Sequence, residues 1–137
     1  MRYLAIDLGD KRSGLAVGDG ETGVVSPIGL LELPPGPELV TAILKRVEDH
    51  EPEAIVLGLP LNMDGSEGPR AGKAREFGAL LGRHTDRPIH YHDERLTSFA
   101  ADQQMARSGR THKQKKKQRD AIAAAEILRG FLALSAD

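Results

Sequence analysis

Residues 3–17 read Tyr3-Leu4-Ala5-Ile6-Asp7-Leu8-Gly9-Asp10-Lys11-Arg12-Ser13-Gly14-Leu15-Ala16-Val17, two apolar runs joined by a polar turn. The run from Tyr3 to Leu8 is nearly all apolar, as expected of a strand buried on both faces. Gly9 to Arg12 turns the chain, and Ser13 to Val17 forms a second strand. Turn signals at Gly18-Asp19-Gly20 and Thr22-Gly23 then lead to a third strand over Pro27–Leu33. Connections this short require antiparallel pairing. The exception within the first run is Asp7. A carboxylate between Ile6 and Leu8 is expensive to bury alone. It needs a local partner, such as Arg12 or a turn amide, or else a cation.

Working outward, the periodicity changes after Pro34-Pro35-Gly36-Pro37. Leu39, Ile43, Leu44 and Val47 fall at helical spacing, opposite Lys45, Arg46, Glu48 and Asp49, until Pro52 ends the helix. Ala54 to Leu59 is an uninterrupted apolar strand, and a strand reached across a helix is usually parallel to its partner. Pro60 to Pro69 is a loop. Ala74, Phe77 and Leu81 mark a second helix, and Pro88 to His92 a fifth strand. Thr97 or Ser98 caps a helix to about Arg107, and a last helix spans roughly Lys115 to Ala133. The order βββαβαβαα predicts an α/β fold in one domain over 1–137. It has a five-stranded mixed sheet, three strands antiparallel and two parallel, with helices on both faces. In open α/β sheets, sites lie beyond the carboxyl ends of the parallel strands. That rule points to the residues after Leu8, Leu59 and His92.

The 137 residues include no cysteine, which excludes disulfides, thiolate metal sites and cysteine nucleophiles. Neither a signal-peptide core nor a stretch of transmembrane length is present, so a cytoplasmic protein without membrane partners is expected. The net charge of −1 implies no particular partner. Its distribution implies more, because Arg107, Arg110, Lys113, Lys115, Lys116, Lys117 and Arg119 follow one another without an intervening acid. Such a run is either a solvated segment or a phosphate-binding patch.

Two further acids stand at telling positions. Asp93-Glu94 follows the fifth strand directly. Thr97 and Ser98 can cap the next helix, which leaves Glu94 for the sheet edge. Asp120 shares a helical stripe with Ala124, Ile127 and Phe131, the stripe that should pack on the sheet, with Glu126, Arg129 and Gly130 opposite. Alone, Asp120 could be a first-turn dipole charge. Together, Asp7, Glu94 and Asp120 make an oxygen cage for two Mg²⁺ or Mn²⁺ ions, the arrangement that catalyses in-line phosphoryl displacement. The basic run beside Asp120 would then hold nucleic-acid phosphates.

Four segments resemble the YqgF/RuvX family: Asp7-Leu8-Gly9, Gly58 to Ser66, Asp93-Glu94-Arg95-Leu96-Thr97-Ser98, and Lys117-Gln118-Arg119-Asp120 with the alanines that follow. The match runs in order along almost the whole chain. Lys115-Lys116-Lys117 is denser in charge than the family pattern. The resemblance implies an RNase H-like fold related to Holliday junction resolvases, with the acidic triad at Asp7, Glu94 and Asp120. It implies 5′-end processing of precursor 16S rRNA, or cleavage of branched or single-stranded DNA, the latter in a homodimer. Residues expected to meet nucleic acid are Lys11, Arg12, Asn62, Ser66, Arg95, Arg110, Lys113, Lys115, Lys116, Lys117 and Arg119. In the 58–66 loop, Gly58 and Gly65 would permit close backbone approach.

Three other readings compete. Asp7-Leu8-Gly9 before a hairpin also resembles the phosphate loop of actin-like ATPases, although those need two lobes. His90 and His92 share a strand face as zinc-binding pairs do, but no third histidine is predicted nearby. A non-catalytic binder could use the basic run alone. With 3 Phe, 2 Tyr and no Trp, the chain is poor in aromatics for a base-stacking platform.

Overall fold

The computed structural model describes residues 1–95 and 112–134, with side chains described up to Arg95 and again from Ala121. Five strands, β1 (Arg2–Asp7), β2 (Ser13–Asp19), β3 (Val25–Leu31), β4 (Ala54–Leu59) and β5 (Ile89–Asp93), form one sheet in the order β3-β2-β1-β4-β5. The pairs β1–β2 and β2–β3 are antiparallel, while β1–β4 and β4–β5 are parallel. Helices α1 (Pro37–His50) and α2 (Pro69–Gly82) cover one face, and α3 (His112–Leu134) covers the other. This is the RNase H-like mixed sheet expected from the sequence. The helix expected from Thr97 or Ser98 to about Arg107 lies outside the described residues, as does Arg110.

Strand alternation distributes the core. Leu4, Ile6, Leu15, Ile55 and Leu57 point to one side, where Leu39, Ile43 and Val47 of α1 and Phe77 and Leu81 of α2 bury them. Each such side chain contributes roughly 1.5–3 kcal/mol on leaving water. Ala5, Ala16 and Val56 point the other way, and their small size lets α3 approach with Ala124, Ala125, Ile127 and Leu128. Gly36 precedes Pro37 at the first turn of α1, and Glu51 closes that helix in the left-handed region (φ 49°) with its N–H bonded to the Val47 carbonyl at 2.8 Å.

Several strand and helix boundaries differ from expectation, those of β3 and α3 among them. β3 runs over Val25–Leu31 rather than Pro27–Leu33, because its pairing with β2 starts at Gly18↔Val25 and ends at Ser13↔Leu31. Pro27 is tolerated inside it because β3 is an edge strand with a register shift beside that residue. α3 starts at His112, ahead of the expected Lys115. Gly130, expected opposite the buried stripe, instead lies against His92, whose Nε2 would be 2.7 Å from a Cβ placed there.

Candidate active site

The parallel pairings bring the carboxyl ends of β1, β4 and β5 to one edge, with Ile6 beside Leu57 and Leu59 beside Asp93. The Glu94 N–H donates to the Leu59 carbonyl at 3.2 Å, which holds Glu94 at the end of β4. Alternation then decides which side each acid faces. Asp7 follows Ala5, Gly58 follows Val56, and Glu94 follows His92, so all three belong to the α3 face. Gly58 bears this out, since a Cβ there would stand 2.7 Å from the Glu94 carboxyl carbon and 2.7 Å from Ile127 Cδ1. The Glu94 side chain therefore lies across the bare backbone of β4, between the sheet and α3.

There it meets Asp7. Burial, the Asp7 charge and a hydrogen bond with Asp7 push the Glu94 carboxyl up to about 9, against a smaller opposing pull from Arg70. At neutral pH the two carboxyls thus hold a proton between them. Crowded carboxyls either share a proton or share a cation, and hard oxygen donors select Mg²⁺ or Mn²⁺ over softer metals. The donors fit the expected ions to that extent. Among the described residues no group of three His, Asp or Glu side chains is arranged around a metal position. Position 120 falls on the α3 stripe of Ala124 and Ile127, but its side chain lies outside the described residues, as do those of Lys113, Lys115, Lys116, Lys117 and Arg119.

Leu8, Gly9 and Asp10 after β1, Pro60 after β4, and Arg70 and Lys73 of α2 line a cleft at the carboxyl ends of β1 and β4, and of these Arg70 is near enough for its charge to act on Glu94. Lys73 Nζ stands 3.7 Å from an Asp10 carboxylate oxygen, both well exposed. Arg70 is a residue that sequence reasoning misses. The usable signal is the first turn of α2, which carries no acid and a cation where helices favour acids. Lys11 is exposed and Arg12 half-buried on the turn after β1.

The remaining residues expected at the site are engaged within the protein. Asn62 Nδ2 donates to Ser66 Oγ at 3.0 Å, and Ser66 Oγ donates to Asp64 at 2.6 Å. Arg95 grips Asp93 through Nε at 2.8 Å and Nη2 at 2.7 Å. His90 and His92 both pack on Phe131, with ring centroids 5.4 and 6.4 Å away, and burial holds the His92 ring below its usual pKa.

Residues 1–134 match the family described as "RuvX: Holliday junction resolvase". A protein of Paracoccus denitrificans is 42% identical over 127 residues, covering 93% of this chain and 80% of that one. One of Pseudomonas putida is 39% identical over 130 residues, covering 94% and 92%. Both carry the name "Putative pre-16S rRNA nuclease". Among solved structures, Thermus thermophilus RuvC in complex with a Holliday junction substrate aligns over 99% of this chain and 97% of its own, with TM-score 0.59 and 15% identity. The fowlpox virus resolvase with Holliday junction DNA aligns over 100% of both chains, with TM-score 0.63 and 10% identity. At these identities the structural likeness concerns the fold.

Proposed function

The chain belongs to the RuvX family of Holliday junction resolvases, and on that premise we propose that it is a metal-dependent nuclease working through Asp7, Glu94 and Asp120. The observation that supports this best is the Asp7–Glu94 pair, the last residue of β1 and the residue following β5, brought into hydrogen-bond contact where Glu94 crosses Gly58. Two acids set against each other at that depth are costly, and a divalent cation relieves the cost. Asp7, Glu94 and Asp120 would hold two Mg²⁺ or Mn²⁺ ions. When bound, such ions supply activation of the attacking water and neutralisation of the departing 3′ oxygen. The chain's own part is to keep the carboxyl oxygens fixed and to accept the proton that the water loses. Arg70, Lys73 and the basic first half of α3 would seat the flanking phosphates.

The names of the relatives favour precursor 16S rRNA as substrate, and we propose cleavage at its 5′ end, in the cytoplasm. The resolvase family favours branched DNA, cut by a homodimer in which residues 1–137 act as one nuclease domain. A substrate panel discriminates these: precursor rRNA, single strands, duplex and four-way junctions, each with Mn²⁺ and with EDTA. Cleavage of at least one substrate is expected with Mn²⁺, lost in EDTA and lost in Asp7→Asn with the fold intact. Full activity of Asp7→Asn would remove the carboxyl pair from the chemistry and end this reading.

A further inference from the structure

We infer that Met63 is an apolar wedge that unstacks a base of the bound nucleic acid beside the Asp7–Glu94 pair; this rests on the nuclease reading above. Met63 is 93% exposed, the most exposed large apolar side chain among those described. The others are Met1 at the amino terminus, Leu134 at the last helical position and Val24 in the β2–β3 hairpin. A lone exposed apolar residue is ordinary. What sets Met63 apart is the loop that carries it.

That loop is rigidly built. The Asn62 N–H donates to the Ser66 carbonyl and the Gly65 N–H to the Asn62 carbonyl, both at 2.9 Å. The Ser66 N–H donates to Asp64 at 2.9 Å, and Gly65 supplies the φ of 88° that the turn requires. At the other end, Arg95 Nη1 donates to the Met63 carbonyl at 3.3 Å while the same guanidinium is fixed on Asp93. Arg95 directly follows Glu94. The methionine is thus braced to the residue next to the carboxyl pair, with its backbone fixed and its thioether free. Asn62, Asp64, Ser66 and Arg95 are engaged with one another, which leaves the apolar side chain as what the loop tip presents.

The geometry of the site gives a wedge something to do. Glu94 is half-buried between β4 and α3, so a phosphodiester must be drawn toward the sheet edge to reach it. Stacked bases resist that distortion of their backbone. An apolar side chain inserted at a base step offsets part of the unstacking energy, and methionine, unbranched and polarisable, fits an irregular gap between bases.

The test uses short RNA and DNA duplexes carrying 2-aminopurine at successive positions, with the whole protein in EDTA so that binding is read without cutting. Anisotropy reports binding and 2-aminopurine fluorescence reports unstacking. A several-fold rise at one position is expected with the wild type, kept in Met63→Leu and lost in Met63→Ala and Met63→Gln, all with equal melting temperatures. Binding without a rise, or a rise that persists in Met63→Ala, overturns the wedge and leaves the nuclease reading standing. No binding of either duplex also overturns the wedge, while the nuclease reading falls only if no member of the substrate panel is cut with Mn²⁺.

Discussion

Gly58 is bare because the Glu94 carboxyl occupies the place where its side chain would begin. Replacing it with alanine should push Glu94 off β4 and away from Asp7. The overpacking itself costs about 1–3 kcal/mol, whereas displacement of a catalytic group by ~1 Å can cost about 100-fold in rate. Gly58→Ala should therefore lose far more activity than its melting temperature suggests, which kcat and thermal denaturation measured together will check. The raised Glu94 carboxyl makes a second prediction. Its folded value of about 9 lies above the ordinary 4.5, so between those values the folded protein keeps a proton that the unfolded chain releases. Stability of the metal-free protein should be greatest toward pH 4.5, as far as this group is concerned, and should fall as pH climbs toward 9. Under the proposed metal site Mn²⁺ should displace the proton and flatten that fall, and Asp7→Asn should weaken it; melting curves in EDTA and in Mn²⁺ across this range test both. Asp7 was legible in the sequence as the wrong residue in an apolar strand. The partner of Gly58 was not, because a missing side chain does not record which distant atom fills its space.

Among the elements, what could be read from the sequence was what local chemistry dictates. Apolar runs gave the strands, and the spacing of Leu39, Ile43 and Val47 gave α1, all three now buried. What went astray was set by partners. β3 ends where its pairing with Ser13 of β2 ends, not where its own apolar residues end, and no property of Leu33 announces that. The early start of α3 has no apolar periodicity to mark it, since lysine and glutamine suit helix and loop alike. Glycines inside helices carried an equally hidden meaning. Gly78 of α2 stands where a Cβ would run into the Tyr91 hydroxyl, so α2 sits close over β5 at that point. The Arg75 guanidinium lies 4.9 Å from the same ring and pairs with Glu67 at 2.6 Å, tying the end of the 60–68 loop to helix and sheet together. Tyr91 reads as ordinary strand filler in the sequence, yet through it α2, the loop and β5 keep a common position.

For the whole molecule, charge asymmetry matters more than the net value of −1. Acid is concentrated where three strands end, and Lys113, Lys115, Lys116, Lys117 and Arg119 of the basic run fall in the first turns of the only described helix on that face. At 1.5 Å per residue α3 is roughly 34 Å long, against roughly 20 Å for the six residues of β1. Its last turns sit at the amino end of β1, where Phe131 packs on Tyr3 with centroids 5.4 Å apart and Leu132 approaches Gly20. A helix longer than the sheet, anchored there, leads its first turns back toward the opposite edge, where Asp7 and Glu94 meet. Phosphates seated at that edge would lie within the field of Lys115, Lys116 and Lys117. Replacing all three with glutamine keeps good helix formers in place and removes only charge. Binding of RNA or DNA should weaken, and the slope of log K against log salt should become shallower by about one unit for each phosphate no longer neutralised, while the Mn²⁺-induced rise in melting temperature stays as in the wild type. An unchanged slope would place these lysines in solvent, and the partner of the acidic edge would then have to be sought in Arg70 and Lys73 across the cleft.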